Sequence, residues 1–108
     1  MTKNFKINGD DIKQIISPIG GCMATDKITV DGELVGFMYR DNPEFEHDSG
    51  WRFLSGTETQ DYVDSADNWA IYDVNTIVNY DNTIIKYLDS PIGTELERTK
   101  EMSEFEII

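Results

Sequence analysis

Trp51-Arg52-Phe53-Leu54, followed at once by Ser55-Gly56, predicts a β-strand in the middle of the chain. Aromatic and apolar side chains favour extended structure, and a Ser-Gly pair is typical of the turn that ends a strand. A polar loop is predicted before this strand, over residues 41–50, because that segment contains Pro43 and Ser49-Gly50. The strand therefore lies between two turn-rich segments, which is typical of a sheet built from short strands.

Other strands are predicted on both sides of it. Asp31-Gly32 separates two apolar runs, and an Asp-Gly pair in that position predicts a β-hairpin because both central residues of the tight turn need a positive φ. The second run is apolar on both faces, which indicates a central strand that is covered on both sides. The predicted strands are Cys22–Ala24, opened by Gly20-Gly21, then 28–30, 34–39, 69–72, 94–98 and 105–108.

Short helices are predicted from their capping residues and apolar spacing. Asp10 or Asp11 is expected to cap a helix whose apolar face carries Ile12, Ile15 and Ile16. One helical turn is predicted near Tyr62-Val63 in the acidic segment 57–68. Asp73 is expected to cap a helix with Ile77 and Val78, and Asp81 another with Ile84, Ile85 and Leu88; Pro91-Ile92-Gly93 predicts a turn.

The order of these elements predicts an α+β fold. Strands come in runs and do not alternate strictly with long helices, which favours a largely antiparallel sheet over a doubly wound parallel one. We expect a single domain over residues 1–108, with a mostly antiparallel sheet of about five strands and two or three short helices packed against it.

The charge of the chain limits its partners. Twenty-one acids face nine bases, for a net charge of −12. Nucleic acids and anionic membranes require clustered Lys and Arg, so neither is expected as a partner, whereas a basic protein would be attracted. A single cysteine, the absence of a signal-like apolar stretch near Met1 and the absence of a membrane-length apolar run predict a cytoplasmic protein.

Two groups of residues have side chains suited to catalysis or metal binding. Cys22 would need a base to act as a nucleophile, and His47 is the only histidine in the chain. The alternative for Cys22 is a small buried apolar residue in a strand. Glu44, His47 and Asp48 have side chains of suitable types for an enzyme or a metal-dependent binder, with or without Cys22, but their spacing matches neither the HExxH nor the calcium-loop pattern. The alternative is a solvated loop, and the sequence indicates neither a cofactor nor a metal.

Charge and aromatic residues are concentrated in the middle of the chain. Residues 41–73 hold nine acids but one base, Arg52, together with half of the aromatic residues. Large rings framed by charge of one sign are typical of protein-binding surfaces. We predict a binding surface in which Trp51, Tyr62 and Trp69 are contact anchors and the acids that steer the partner include Glu58, Asp61, Asp64 and Asp67. The alternative is that the rings belong to the core.

Two arginines of the middle of the chain are expected to stabilise its acidic loops. Arg40 and Arg52 are expected to form internal ion pairs that hold the acidic loops. A homo-oligomer, whose interface would use exposed aromatic side chains, is a further alternative to a complex with another protein.

A set of short motifs resembles a family of small bacterial proteins. The motifs span about residues 20–98, and the block around Asp48-Ser49-Gly50-Trp51 is the most specific of them. The family was first classed as a domain of unknown function and is grouped with the immunity proteins of polymorphic-toxin systems. The resemblance implies an α+β, cytoplasmic, non-catalytic protein that neutralises a toxin by binding it, and a homo-oligomeric housekeeping protein is the alternative. The motifs are Gly20-Gly21-Cys22, Asp31-Gly32, Val35-Gly36-Phe37-Met38-Tyr39-Arg40, Asp48-Ser49-Gly50-Trp51-Arg52-Phe53, Ser55-Gly56, Tyr62, Asn68, Ile71-Tyr72, Asn75-Thr76-Ile77, Asn79-Tyr80-Asp81, Pro91-Ile92-Gly93 and Glu97-Arg98.

Overall fold

The structure is a computed structural model that describes residues 3–99 and 104–108. Within these residues six strands form one sheet: β1 Gly21–Thr25, β2 Phe37–Arg40, β3 Asp48–Leu54, β4 Trp69–Asp73, β5 Glu95–Arg98 and β6 Phe105–Ile107. The described α-helices are α1 Asp26–Thr29, α2 Gln60–Asp64 and α3 Val74–Tyr80, and 3₁₀ turns span Gly9–Asp11, Ala66–Asn68 and Asn82–Tyr87. In the described part of the chain, no helix is both long and apolar enough to cross a bilayer.

The strand order is β4-β1-β3-β2-β5-β6, which confirms the α+β class but corrects the predicted sheet. The described residues contribute six strands instead of about five, and one pair of neighbours, β1 with β3, is parallel. The remaining neighbours are antiparallel. Residues 28–30, which were expected to pair with residues 34–39, contribute to the end of α1 instead, and β2 pairs with β3 and β5.

Asp31-Gly32 ends a helix instead of forming the predicted hairpin. Helix α1 occupies residues that were expected to be a strand, and Gly32 has a φ of 79°. The amide of Gly32 donates to the carbonyl of Ile28, and the amide of Glu33 donates to that of Lys27, each at 3.0 Å. The bond from Gly32 to Ile28 is that of an αL helix end, which needs a residue with a positive φ as much as a hairpin turn does. The same two residues suit both structures, so the local signal was ambiguous.

The helix predicted at Ile12, Ile15 and Ile16 is also absent. A 3₁₀ turn over Gly9–Asp11, capped by Asn8, gives way to extended backbone at Ile12. Two side chains of α3 hold the following segment. The Asn75 Oδ1 accepts from the amides of Ile15 and Ile16 at 2.8 and 3.2 Å, and Asn79 Oδ1 accepts from the amide of Lys13 at 3.0 Å. These bonds satisfy backbone groups that would otherwise favour a helix.

Most of the strands and helices that were predicted from local sequence signals are confirmed. Strand β3 contains the predicted Trp51–Leu54 and begins earlier, at Asp48. Helix α3 begins at Val74 with the Asp73 carboxylate accepting from the Asn75 amide, and the Asp81 carboxylate caps the next helical segment, which is 3₁₀ in form. Helix α2 includes Tyr62-Val63.

One face of the sheet builds the core. Trp51 and Phe53 of β3 stack at 6.0 Å and are both fully buried. Residues of α1, α3 and the 3₁₀ turn Asn82–Tyr87 complete a single cluster with Cys22, Ala24, Ile28, Met38, Ile77, Val78 and Ile84. Because side chains alternate along a strand, the residues between these point to the opposite face. That opposite face carries the candidate site.

The backbone of Ser55 lies very close to Gly36, the residue before β2. A Cβ atom at this position would lie 1.9 Å from the carbonyl oxygen of Ser55, which is backbone and cannot swing aside. We expect Gly36→Ala to lower the free energy of unfolding by about 1–3 kcal/mol, as overpacking does. Gly9→Ala is the matched control because its Cβ would have nothing within 4 Å. Equal midpoints of urea unfolding for the two variants would contradict this close contact.

Candidate functional site

A row of side chains crosses the face of the sheet opposite the core. The strand register aligns Ile71, Met23, Arg52, Tyr39 and Glu95 from β4 to β5. The row joins apolar, aromatic and charged groups across five adjacent strands. We call the side of the sheet that carries this row the open face.

The segment between β3 and β4 folds over part of the open face and creates a groove. Two hydrogen bonds fix this segment: Trp69 Nε1 donates to the carbonyl of Val63 at 2.9 Å, and Asn68 Nδ2 donates to that of Tyr62 at 2.9 Å. The groove has a volume of about 340 Å³. It is lined by Met23, Tyr39, Asp41, Glu44, Arg52, Val63, Asp64, Ala66 and Trp69.

The base of the groove is a buried ion pair. Arg52 makes two hydrogen bonds to Asp48, from Nη1 to Oδ1 at 3.0 Å and from Nη2 to Oδ2 at 2.7 Å. The two side chains are only 4% and 0% exposed. The same carboxylate accepts the amides of Glu44 and Gly50, each at 2.8 Å, and thereby closes the loop before β3. Both of its oxygens are occupied by donors of this chain.

These bonds change the pKa of Asp48. Burial alone would raise it, but the hydrogen bonds from Arg52 and from the amides of Glu44 and Gly50 outweigh burial and lower the pKa from 3.8 to about 2. The carboxylate therefore stays ionised and neutralises the guanidinium. Among the described residues that line the groove, Arg52 is the one base, and because Asp48 neutralises it, its charge does not cancel that of the exposed acids.

The remaining charge of the open face is negative. Asp41, Glu44 and Asp64 line the groove and are exposed. Beyond Tyr39, strand β5 adds Glu95 and Glu97, which are also exposed and are aligned with Tyr39 and Phe37. The rings of Phe37 and Tyr39 lie 5.6 Å apart. The open face thus combines exposed carboxylates with partly buried rings.

Comparison with known proteins assigns the family. The profile described as "Immunity protein Imm33 domain" matches residues 22–108. The chain belongs to the Imm33 immunity protein family. The predicted resemblance to immunity proteins is thereby confirmed. Neither a curated protein nor a solved structure matches the chain.

One predicted anchor of this Imm33 domain is in the core. Trp51 is 0% exposed, and its Nε1 donates to the carbonyl of Leu88 at 3.2 Å. The prediction that Trp51 contacts a partner is therefore wrong for this fold. The cause is strand alternation: Trp51 and Phe53 share the covered face, whereas Arg52 between them points to the groove.

Trp69 and Asp64 lie together in the groove, whereas the other predicted residues lie outside its lining. Tyr62 is partly buried against α1, with Lys27 Nζ 5.6 Å from its ring centroid. The Glu58 carboxylate accepts the amides of Ser55 and Gly56, so it stabilises the turn after β3. Asp61 and Asp67 are exposed nearby, on α2 and on the 3₁₀ turn Ala66–Asn68. Their predicted contact with a partner stays a prediction.

Several residues that line the groove were not predicted from the sequence as part of a site. Tyr39 and Met23 were assigned to strands without a face, and Val63 and Ala66 were treated as part of a polar segment. The alternation of Arg52 between two aromatic residues was the available signal. It indicates that the side chains next to Arg52 in neighbouring strands share a polar face.

The two arginines differ in their partners. Arg52 forms the predicted internal ion pair, with Asp48 and, at 3.4 Å, with Glu44. Arg40 instead donates to three backbone carbonyls: to Ser49 at 2.9 Å, to Ser90 at 2.8 Å and to Leu88 at 3.4 Å. The expectation of an ion pair for Arg40 is not met, because its guanidinium lies over the Trp51 ring at 5.6 Å, where carbonyls surround it.

The residues considered for catalysis or metal binding do not assemble. Cys22 is fully buried, and burial raises the pKa of its thiol. His47 has an 84% exposed side chain, 3.6 Å from Glu46, whereas the Asp48 carboxylate is committed to Arg52. Within residues 3–99 and 104–108, no three His, Cys, Asp or Glu side chains are grouped to hold a metal ion.

Proposed function

We propose that this Imm33 domain neutralises a toxin by direct binding and that its groove receives cationic side chains of a basic toxin domain. The observation that carries the proposal is the composition of the groove. Three exposed carboxylates, from Asp41, Glu44 and Asp64, stand beside Trp69, and the one arginine in the lining is neutralised by Asp48.

The groove chemistry suits lysine or arginine. An aromatic face attracts a cation, and this attraction grows when the cation is partly removed from water, as it is in a groove. Trp69 and Tyr39 supply such faces beside the apolar side chains of Met23 and Val63, against which an aliphatic stem can pack. The carboxylates add electrostatic complementarity, which mainly raises association rates and favours basic partners.

The proposal predicts the behaviour of two groove variants. The probe is the toxin domain encoded beside this gene, and its affinity is measured by calorimetry at about 50 mM and about 300 mM salt. We expect Asp64→Lys and Trp69→Ala to weaken binding about tenfold or more, which corresponds to about 1.4 kcal/mol or more each. We also expect a weaker salt dependence in Asp64→Lys, because one attractive charge becomes repulsive.

A matched control separates local from global charge effects. Asp11→Lys makes the same change in net charge in an exposed position of the 3₁₀ turn Gly9–Asp11, away from the groove lining. We expect it to bind within about threefold of the unchanged protein, since only distant charge is altered. If Asp11→Lys and Asp64→Lys weaken binding equally, the groove is not the contact surface.

A further inference from the structure

Strand β4 is an edge of the sheet, and its outward backbone groups can be identified from the register. Among the described strands, β4 pairs with β1 alone. The Val74 amide donates to the Gly20 carbonyl at 3.0 Å, which makes these opposed residues a hydrogen-bonded pair. Hydrogen-bonded and non-hydrogen-bonded pairs alternate along an antiparallel ladder. The N–H of Asp73 and both the N–H and the C=O of Ile71 therefore point away from β1.

The outward backbone groups at the start of β4 are hydrogen-bonded, whereas the centre of the strand is exposed. The Trp69 amide donates to the carbonyl of Ala66, and the Trp69 carbonyl accepts from Lys3 Nζ at 3.2 Å. Ile71, in contrast, is 59% exposed in the middle of the strand. Strand β4 contains neither Pro nor Lys, which are residues that commonly protect an exposed edge from pairing. A short stretch from Ile71 to Asp73 is thus available for strand addition.

Charge indicates which chain adds to this edge. Exposed carboxylates lie near both of its ends: Asp67 and Asp64 precede β4, and Asp73 ends it. A second copy of this chain, paired antiparallel about Ile71, would place Asp73 of each copy next to the Asp67 end of the other. Like charges in such positions are unfavourable, whereas a strand that carries Lys or Arg would be attracted.

We propose that an extended, basic segment of the toxin pairs with the edge of β4 through Ile71 and Asp73. Main-chain hydrogen bonds provide part of the affinity, and alternate side chains of the added strand lie on the open face beside Trp69 and the groove. This inference rests on the proposed function, because it requires a toxin partner. It adds the backbone mode of recognition, which the groove alone does not imply.

Amide hydrogen exchange tests the pairing directly. Nitrogen-15-labelled protein is followed by NMR alone and with an equimolar amount of the toxin domain encoded beside this gene. We expect the Ile71 and Asp73 amides to exchange rapidly in the free protein and about tenfold or more slowly in the complex, because each becomes hydrogen-bonded. A complex in which the Ile71 amide exchanges as in the free protein would overturn the strand addition while leaving the groove proposal intact.

Three substitutions at the exposed Ile71 test the same point by affinity. Ile71→Pro removes the donor, and Ile71→Lys keeps it but repels a basic strand, so each should weaken binding about tenfold or more. Ile71→Val keeps the backbone and the β-branched side chain, and it should bind within about twofold. The Lys variant retains a test if the Pro variant does not fold. Equal affinity of the Lys and Val variants overturns the proposal.

Two other outcomes would overturn the proposed strand addition. If the unchanged protein does not bind the toxin domain, both the proposed function and the strand addition are overturned. If the free protein forms dimers in light scattering, and the Ile71 amide is protected in them, the edge is occupied by a second copy and the toxin-strand proposal is overturned.

Discussion

Trp51→Ala is expected to lower the free energy of unfolding by about 3–5 kcal/mol, the range that measurements give for removing a large buried aromatic side chain. Trp51 is 0% exposed, stacks on Phe53 and donates its Nε1–H to the carbonyl of Leu88. Its removal leaves a cavity in the centre of the core and frees a buried carbonyl. The effect is measured by urea unfolding at neutral pH.

Trp69→Ala is the matched comparison, because it makes the same chemical change on the opposite face of the sheet. Trp69 is only partly buried, and its indole N–H anchors the segment that covers the groove through Val63. We expect it to cost less stability than Trp51→Ala, by about 2 kcal/mol or more, while it weakens toxin binding. A Trp51→Ala protein as stable as Trp69→Ala would contradict the placement of Trp51 in the core.

Trp51 and Trp69 show which features of this structure could be predicted from the sequence and which could not. Strands β3 and β4 were predicted because apolar and aromatic residues lie between turn residues, and Asp73 and Asp81 marked the helix starts through capping. These signals are local, so they need no knowledge of the rest of the chain. Which ring would face the core was a different problem, since both tryptophans belong to equally aromatic strands.

The facing of the rings depends on which side of the sheet is covered. Arg52 alternates with Trp51 and Phe53, so these rings share a face, but the sequence does not state where the helices lie. The groove depends further on the register between strands that are distant in the chain, such as Met23 opposite Arg52. Of the nine acids within residues 41–73, tertiary structure brings Asp41, Glu44 and Asp64 to the lining of the groove.

The parallel pairing of β1 with β3 was not predictable for a related reason. The Asp31-Gly32 pair supported a hairpin locally, and that hairpin would have paired residues 34–39 with 28–30, whereas β3 lies between β1 and β2 in the sheet. The competing helix end uses the same positive φ at Gly32, and its gain comes from burying Ile28 and Thr29 of α1. That gain is tertiary, so local turn chemistry could not reveal it.

Asp48→Ala is expected to lower the free energy of unfolding by about 3–5 kcal/mol at neutral pH, as expected when one partner of a buried ion pair is removed. Arg52 would remain buried without its bidentate partner, and Glu44, at 3.4 Å and largely exposed, compensates poorly. The amides of Glu44 and Gly50 would also lose their acceptor. Asp41→Ala removes an exposed carboxylate of the groove and should change stability by about 1 kcal/mol or less.

The pH dependence of the stability lost in Asp48→Ala shows whether the charge of Asp48 causes that loss. The pKa of Asp48 is about 2 in the folded protein and 3.8 ordinarily, so the folded state holds this carboxylate ionised more firmly than the unfolded state does. Its contribution is therefore complete above about pH 4 and is lost as the pH falls towards about 2. The gap in unfolding free energy between the unchanged protein and Asp48→Ala should therefore narrow over this interval. A gap that stays constant from about pH 5 to about pH 2 would mean that the stabilisation by Asp48 does not depend on its charge, and that the guanidinium at the base of the groove is not neutralised by it.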